Sequence, residues 1–325
     1  MKMEDQDRPL VTFALLGYGQ EKYIGEAIKG AFAQTYSPLE IIISDDSSPD
    51  ATFQIMEEMA RNYSGPHQVQ VRRTACNIGL SAHLDEVAKL AHGEWIVIAA
   101  GDDISLPERT THHMRLAGEH PRAYSTFLAP VVIGDCRSDE SVPKISNRVL
   151  CYPETVKSHG GGILGATHAL KKISWEIFGD LGKGCICEDW ALAFRSSLIG
   201  EVIWDETPGI SYRLHEASIT SQNFGSERYG KQLKVECAAL RQFAKDLKKA
   251  IASDYVPKDK GNADLKWLQA ALLSNDLIAE CINTKSIGEA LAASIRLLLA
   301  RQFVVGNYRR RLGIVKSSLS KHFRK

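Results

Sequence analysis

The chain has 325 residues, 44% apolar and 24% charged, the profile of a soluble globular protein with one large domain or two ordinary ones. A net charge of +1 gives no global attraction for nucleic acid, and seven cysteines without any C-x-x-C spacing argue against a disulfide framework or a zinc ribbon. The polar opening Met1 to Arg8 carries no secretory signal and no apolar run approaches the ~18 residues that cross a bilayer, so the expectation is a cytoplasmic chain with reduced thiols.

From residue 10 strand and helix alternate four times, the rhythm of a parallel sheet with crossover helices. Strands are expected over 10–16, 39–44, 68–73 and 94–100, and helices over 21–34, 48–62 and 80–91. The first helix carries Ile24, Ala27, Ile28 and Ala31 along one face. Gly17-Tyr18-Gly19 is too short for a dinucleotide fingerprint, which disfavours a nicotinamide or flavin enzyme.

The fourth strand ends in Ala99-Ala100-Gly101-Asp102-Asp103, an apolar run stopping at two adjacent carboxylates. Ligands of open α/β sheets bind outside the carboxyl ends of the strands, and a divalent cation relieves the repulsion of paired carboxylates while bridging to phosphate. The alternative is that one Asp caps the next helix, but Ser105 and Pro107 already supply that start signal. The second strand ends alike in Asp45-Asp46, before Ser48-Pro49, so these carboxylates too read as surplus to the helix, an Asx-turn being the alternative.

Beyond residue 118 the regular alternation stops. An extended segment is expected over 124–134, a polar loop to Asn147, a close backbone approach or a sharp turn at Gly160-Gly161-Gly162, and short strands over 201–204 and 209–214. Cys185 and Cys187 read as packing. Glu188-Asp189 opens a helix over 190–198, where the dipole alone would favour acidic residues, and His215 follows the last strand, where a structural histidine is the commoner case. Helices over 226–254, 264–282 and 286–303 follow; the seam Tyr229, Leu233, Cys237, Leu240, Ala244, Leu247 and Ile251 would pack on the domain or on a second copy in a homodimer. After Glu289 there are no acidic residues, while Arg309, Arg310, Arg311, Lys316 and Lys321 stand among Leu312, Ile314, Val315 and Leu319. Such a tail can lie on an anionic membrane surface or be a solvated helix end.

Taken in order, these motifs resemble the family-2 inverting glycosyltransferases of GT-A fold over about residues 11–220. Leu16-Gly17-Tyr18-Gly19 stands at the family's opening turn, Ala33-Gln34-Thr35-Tyr36 at S-Q-T-Y/F, and Ile43-Ser44-Asp45-Asp46-Ser47-Ser48 at V-D-D-G/N-S. Asn77-Ile78-Gly79-Leu80-Ser81 and Gly93-Glu94-Trp95-Ile96 match the signatures around the third helix, and Gly101-Asp102-Asp103 stands at D-x-D or T-D-D. Gly165-Ala166-Thr167-His168-Ala169, Glu188-Asp189 and Tyr212-Arg213-Leu214-His215 resemble the acceptor-side segment, the E-D pair and the Y-R-x-H element.

The resemblance implies an α/β fold: a Rossmann-like nucleotide-binding sheet (9–120) with an acceptor-side extension (121–221) and a helical C-terminal region (222–325). It implies that Tyr18 stacks on the base, that Asp45, Asp46 and Asn77 frame the nucleotide with Asp46 receiving a uracil N–H, and that Asp102 contacts ribose. Asp103 and His215 would hold Mn²⁺ or Mg²⁺, and Asp189, beside Glu188, would be the catalytic base. The implied partners are a nucleotide-diphospho-sugar, UDP- or dTDP-linked, and a glycan, lipid-linked or other hydroxyl acceptor, in surface polysaccharide or glycan assembly; contact with a membrane would be peripheral. Two positions depart from the pattern. Gly101 replaces the first Asp of D-x-D, and the usual Arg of the third helix is missing, leaving His83 or another basic residue to face the diphosphate. The rival readings are a sugar-nucleotide pyrophosphorylase, whose Gly-rich basic loop Gly17 to Lys22 matches poorly, and a catalytically silent nucleotide-sugar-binding protein.

Overall fold

The computed structural model describes residues 8–134, 147–157, 164–182, 184–215 and 228–283. The chain divides into two compact units, Met1–Ser221 and Gln222–Lys325.

The first unit opens with β1 (Val11–Gly17), α1 (Ile24–Phe32), β2 (Leu39–Asp45), α2 (Thr52–Arg61), β3 (Gln68–Arg73), α3 (Leu80–Leu90) and β4 (Trp95–Ala100). These four strands are parallel neighbours in the order β3-β2-β1-β4. Every residue of β1 and β2 is buried, as strands covered on both faces require, whereas β3 at the edge alternates. Ile24, Ala27, Ile28 and Ala31 of α1 pack in one core with Phe13, Leu15, Ile41, Ile43 and Val97. A Cβ at Gly30 would stand 2.9 Å from the Ser105 backbone, so the glycine lets α1 lie directly on the chain after β4.

There follow β5 (Ile104–Ser105), α4 (Arg109–Glu119), β6 (Ala123–Gly134), β7 (Arg148–Leu150), α5 (Glu154–Lys157), a 3-10 turn at Gly165–Thr167, β8 (His168–Lys171), α6 (Ile173–Phe178), α7 (Glu188–Ile199) and β9 (Glu201–Leu214). β8 runs antiparallel to both β4 and β6, so it is the seam at which the parallel half becomes mixed. The sheet continues β8-β6-β9-β5, with β7 also paired to β9, and α7 covers β6 and β9 through Ala193 and Trp190, packed with Phe127, Val202 and Trp204.

Three expectations are corrected. The strands expected over 201–204 and 209–214 are one strand: Thr207-Pro208-Gly209 looks like a break but is a bulge, with Leu128 opposite Asp205, Ala129 opposite Pro208 and Pro130 opposite Ile210. Ser48 does not cap α2; its backbone N–H and hydroxyl turn back to Asp45, and the helix starts at Thr52, whose N–H is accepted by Asp50 Oδ1 at 3.1 Å. Ser105 does not cap α4 either: it pairs with Ile210 in the sheet, and its hydroxyl accepts from Arg109 Nη1 at 2.9 Å.

In the second unit α8 (Arg228–Ala252) pairs with α9 (Lys258–Asn283). The seam residues Leu233, Cys237, Leu240 and Leu247 are buried, as are Leu268 and Ala271 of α9. No described helix is long and apolar enough to cross a membrane. The Gly160-Gly161-Gly162 approach, the expected helix over 286–303 and the basic tail lie outside the described residues.

Candidate active site

The carboxyl ends of β1, β2 and β4 are stitched together by backbone: Asp46 N–H donates to the Gly17 carbonyl at 2.9 Å and Gly101 N–H to the Leu16 carbonyl at 2.8 Å. The loop after β1 is fastened from the other side, since Gly19 N–H donates to Ser48 Oγ (2.9 Å), Gln20 N–H to Thr52 Oγ1 (2.8 Å) and Glu21 N–H to Asp50 Oδ2 (3.2 Å). Tyr18 rides on this fixed loop with its side chain half exposed, an aromatic face held open to solvent.

Asp45 and Asp46 are both buried and both engaged. Asp45 Oδ2 accepts from Ser48 N–H at 2.9 Å and pairs with Arg73 Nε at 3.0 Å, so the turn role belongs to it. Asp46 accepts from Thr74 Oγ1 (3.0 Å), Ile78 N–H (3.0 Å) and Gly79 N–H (2.8 Å), which makes it the anchor of the loop that opens α3. Asn77 is exposed on that loop. His83, the expected replacement cation, is buried and hydrogen-bonded to Ser44 Oγ at 2.6 Å; burial holds its pKa down to about 4, so it stays neutral and meets no diphosphate as a charge.

At the end of β4, Asp103 is buried. Its Oδ1 accepts from Arg213 N–H at 2.8 Å and its Oδ2 has no hydrogen-bond partner. Burial, then the neighbouring Asp102, pushes its pKa up to about 8, against the lowering effect of the Arg213 N–H and of the Arg109 and Arg213 charges. His215 meets Asp102, its Nε2 donating to Asp102 Oδ2 at 3.0 Å. Held through Nε2, the ring presents Nδ1 to another partner, which is the usual way in which a carboxylate orients a metal-ligating histidine. Among the described residues no group of three or more His, Cys, Asp and Glu side chains is arranged to hold a metal by itself. The donor set nevertheless fits Mn²⁺ or Mg²⁺, because one orphaned carboxylate oxygen and one imidazole suit a cation that takes its other ligands from water and phosphate.

At Gly101, the departure from D-x-D, a Cβ would collide with Gln20 Oε1 and stand 2.9 Å from Ile24 Cδ1, the ends of two flexible side chains, and 3.1 Å from the Leu16 carbonyl. Gln20 fills the space that a side chain at 101 would need. Arg109, which nothing in the sequence reading singled out, is buried in α4 and donates through Nη2 to the Ile98 and Ala166 carbonyls, both at 2.6 Å. It therefore ties the end of β4 to the 3-10 turn of the acceptor half. That turn in its turn abuts the E-D pair, since a Cβ on Gly165 would meet Glu188 Oε1 at 3.1 Å and Asp189 Cβ at 3.3 Å.

Glu188 and Asp189 form the first turn of α7. Burial raises both pKa values, with the negative neighbour adding to the rise at Glu188; Glu188 is pushed well above the usual range, while Asp189 is held to about 6 by the N–H groups of Trp190 and Gly165. The pair can thus carry one proton at neutral pH, with Asp189 the member that ionises and can act as a base. Ser81 Oγ donates to the Cys185 carbonyl at 2.6 Å, and Asp85 accepts from Leu181 N–H (3.0 Å) and Gly182 N–H (2.7 Å), so α3 holds the loop that delivers this turn.

An uncharacterized protein of Mycobacterium tuberculosis is 29% identical over 222 residues, 67% of this chain and 62% of its own length, so the chain spans less than two thirds of that relative. S. aureus TarS in complex with UDP-GlcNAc has a TM-score of 0.56 at 16% identity, covering 93% of this chain and 90% of that one. Mannosyltransferase PcManGT from Pyrobaculum calidifontis, in complex with GDP-Man and Mn²⁺, has a TM-score of 0.53 at 16% identity over 98% and 88% of the two chains. Both likenesses are of fold. From the end of β1 to the end of α6, residues 16–178, the sequence matches the family model described as Glycosyl transferase family 2, and with half its length so matched the chain belongs to that family.

Proposed function

We propose that the chain moves a sugar from a nucleotide-diphosphate donor, UDP- or dTDP-linked, to a hydroxyl of a glycan, lipid-linked or other acceptor, in surface polysaccharide or glycan assembly. The observation that carries this reading is the end of β4, where Asp103 keeps a buried, unpartnered carboxylate oxygen beside the Asp102–His215 pair. Tyr18 would stack on the base, Asp46 and Asn77 would frame it with Asp45 bracing the loop, and Asp102 would meet the ribose. Asp103 and His215 would hold Mn²⁺ or Mg²⁺, which when bound supplies positive charge to the diphosphate as it leaves.

Asp189, ionised above about pH 6, takes the proton of the acceptor hydroxyl as its oxygen attacks the anomeric carbon. Attack comes from the face opposite the departing nucleoside diphosphate, so a single displacement inverts the configuration. Glu188 keeps its proton and lends Asp189 no second negative charge. The nucleotide sugars and the Mn²⁺ bound by the structural neighbours support the donor class and the cation. A lipid-linked acceptor would bring the chain to a membrane surface, with the basic stretch beyond residue 300 as the peripheral contact.

Calorimetric titration of UDP with and without Mn²⁺, followed by an assay of UDP-sugar hydrolysis, tests the reading. Mn²⁺ should tighten UDP binding in the wild type and have no effect in Asp103→Ala. Undiminished Mn²⁺ enhancement in that variant would move the cation elsewhere, and donor binding without any turnover would favour a silent binding protein.

A further inference from the structure

We infer that Tyr23, Glu26 and Arg213 form a clamp that fixes the cation-binding residues, with Arg213 as the positioning residue; this rests on the reading of Asp103 and His215 as cation ligands. Arg213 touches both halves of the carboxylate pair. Its backbone N–H donates to Asp103 Oδ1 at 2.8 Å and its Nε to the Asp102 carbonyl at 3.0 Å. The first contact leaves Asp103 Oδ2 as the oxygen on offer, and the second sets the backbone from which Asp102 reaches His215.

The guanidinium is itself held from α1 and the residue before it. Nη2 donates to Glu26 Oε2 at 2.6 Å, and the guanidinium lies over the Tyr23 ring, 4.9 Å from its centroid. The same Tyr23 ring stands 4.8 Å from that of His215, whose Nε2 closes the circuit on Asp102. Each of Asp102, Asp103 and His215 is thereby in contact with a member of the clamp, or with a residue that is. A lysine could not reproduce this, because the contacts need an edge with two separate donors and a flat face.

Stability alone gives the clamp little reason to exist. The Glu26 side chain is 53% exposed against 17% for Arg213, and an ion pair open to water on one side contributes little to folding. Its effect falls instead on geometry. Groups that orient metal ligands commonly change metal affinity by about 10–100-fold when removed.

Calorimetric titration of Mn²⁺ in the presence of UDP on the full chain provides the test. Glu26→Gln and Tyr23→Leu should raise the Mn²⁺ concentration for half-maximal effect by roughly 10-fold, with metal-free UDP affinity and melting temperature unchanged. Tyr23→Phe keeps the ring and should behave as wild type, an outcome that a requirement for the hydroxyl would not produce. Arg213→Lys should match Glu26→Gln; should it fail to fold, Glu26→Gln and Tyr23→Leu still decide. Wild-type Mn²⁺ dependence in those two, alongside its loss in Asp103→Ala, overturns the clamp alone. A wild type indifferent to Mn²⁺ overturns the cation reading and the clamp together.

Discussion

Replacing Asp189 by Asn separates a catalytic base from a helix-cap acid, because the two roles move stability in opposite directions. The carboxyl sits at about 6 against an ordinary value of 3.8, so its ionised form is disfavoured in the folded chain. A rise of that size corresponds to about 2 kcal/mol once partial exposure to solvent is allowed for. A pKa raised by folding gives stability that is full below about pH 4 and lost as pH rises through about 6. Asn carries no such penalty and can still accept from Trp190 N–H, a bond of 2.8 Å in the wild type. Asp189→Asn should therefore melt with the wild type near pH 4 and above it at pH 8, by roughly 4–8 °C for a unit of this size. Its transfer rate should fall by ~10²-fold or more, and wild-type turnover should itself drop roughly tenfold between pH 7 and pH 5 as the base is protonated. Paired melting curves and initial rates from UDP-sugar measure both. Wild-type turnover in the variant would remove Asp189 as the base, leaving Glu188 as the next candidate, and a lower melting temperature at pH 8 would assign the carboxylate to the helix dipole.

Tyr18→Ala should weaken UDP binding by about 1–3 kcal/mol, the scale of base–aromatic stacking, while the melting temperature holds because the ring is half exposed. Asp46→Asn should show the other pattern: lower stability by about 1–3 kcal/mol, since an amide cannot accept at both positions from Thr74, Ile78 and Gly79, together with less preference for uracil in a nucleotide competition series. Gly101→Ala should cost about 1–3 kcal/mol through its collision with Gln20 and Ile24, and Gln20→Ala in the same chain should recover part of it; denaturant midpoints of the three variants check this, and equal loss in the single and double variants would refute the steric account. Chelation by EDTA should abolish donor turnover and Mn²⁺ should restore it, whereas activity that survives chelation would remove the cation from the mechanism.

The parallel half was legible because its signals are local. Short β-branched runs such as Ile41-Ile42-Ile43 read as strands buried on both faces, and carboxylates that follow such runs stand out against them. Helix starts were harder to read: a serine followed by proline fits both a cap and a turn, and at Ser48 the turn prevailed, its N–H and hydroxyl donating to Asp45 and its Oγ accepting from Gly19 N–H instead of from the helix. The acceptor half hid for a related reason. Pro208-Gly209 is a break signal by composition, yet β6 continues alongside and absorbs the extra residues as a bulge.

The supporting contacts of the site were not legible at all, and distance along the chain explains why. Glu26 and Arg213 are separated by 187 positions, and neither type is unusual where it stands. Arg109 reads as a solvated helix residue until β4 and the 3-10 turn close over it. The two departures, Gly101 and the absent cation of α3, looked like damage to the site when each was read alone. Gln20 fills the side-chain space at the first. The second bears on the proposed donor: with His83 buried and neutral, and Arg73 paired to Asp45, the charge of a diphosphate would fall more heavily on a cation held at Asp103. In the proposed mechanism the leaving diphosphate would then depend more on a bound cation, for which the orphaned Asp103 Oδ2, beside the Oδ1 held by the Arg213 backbone N–H, would be the acceptor.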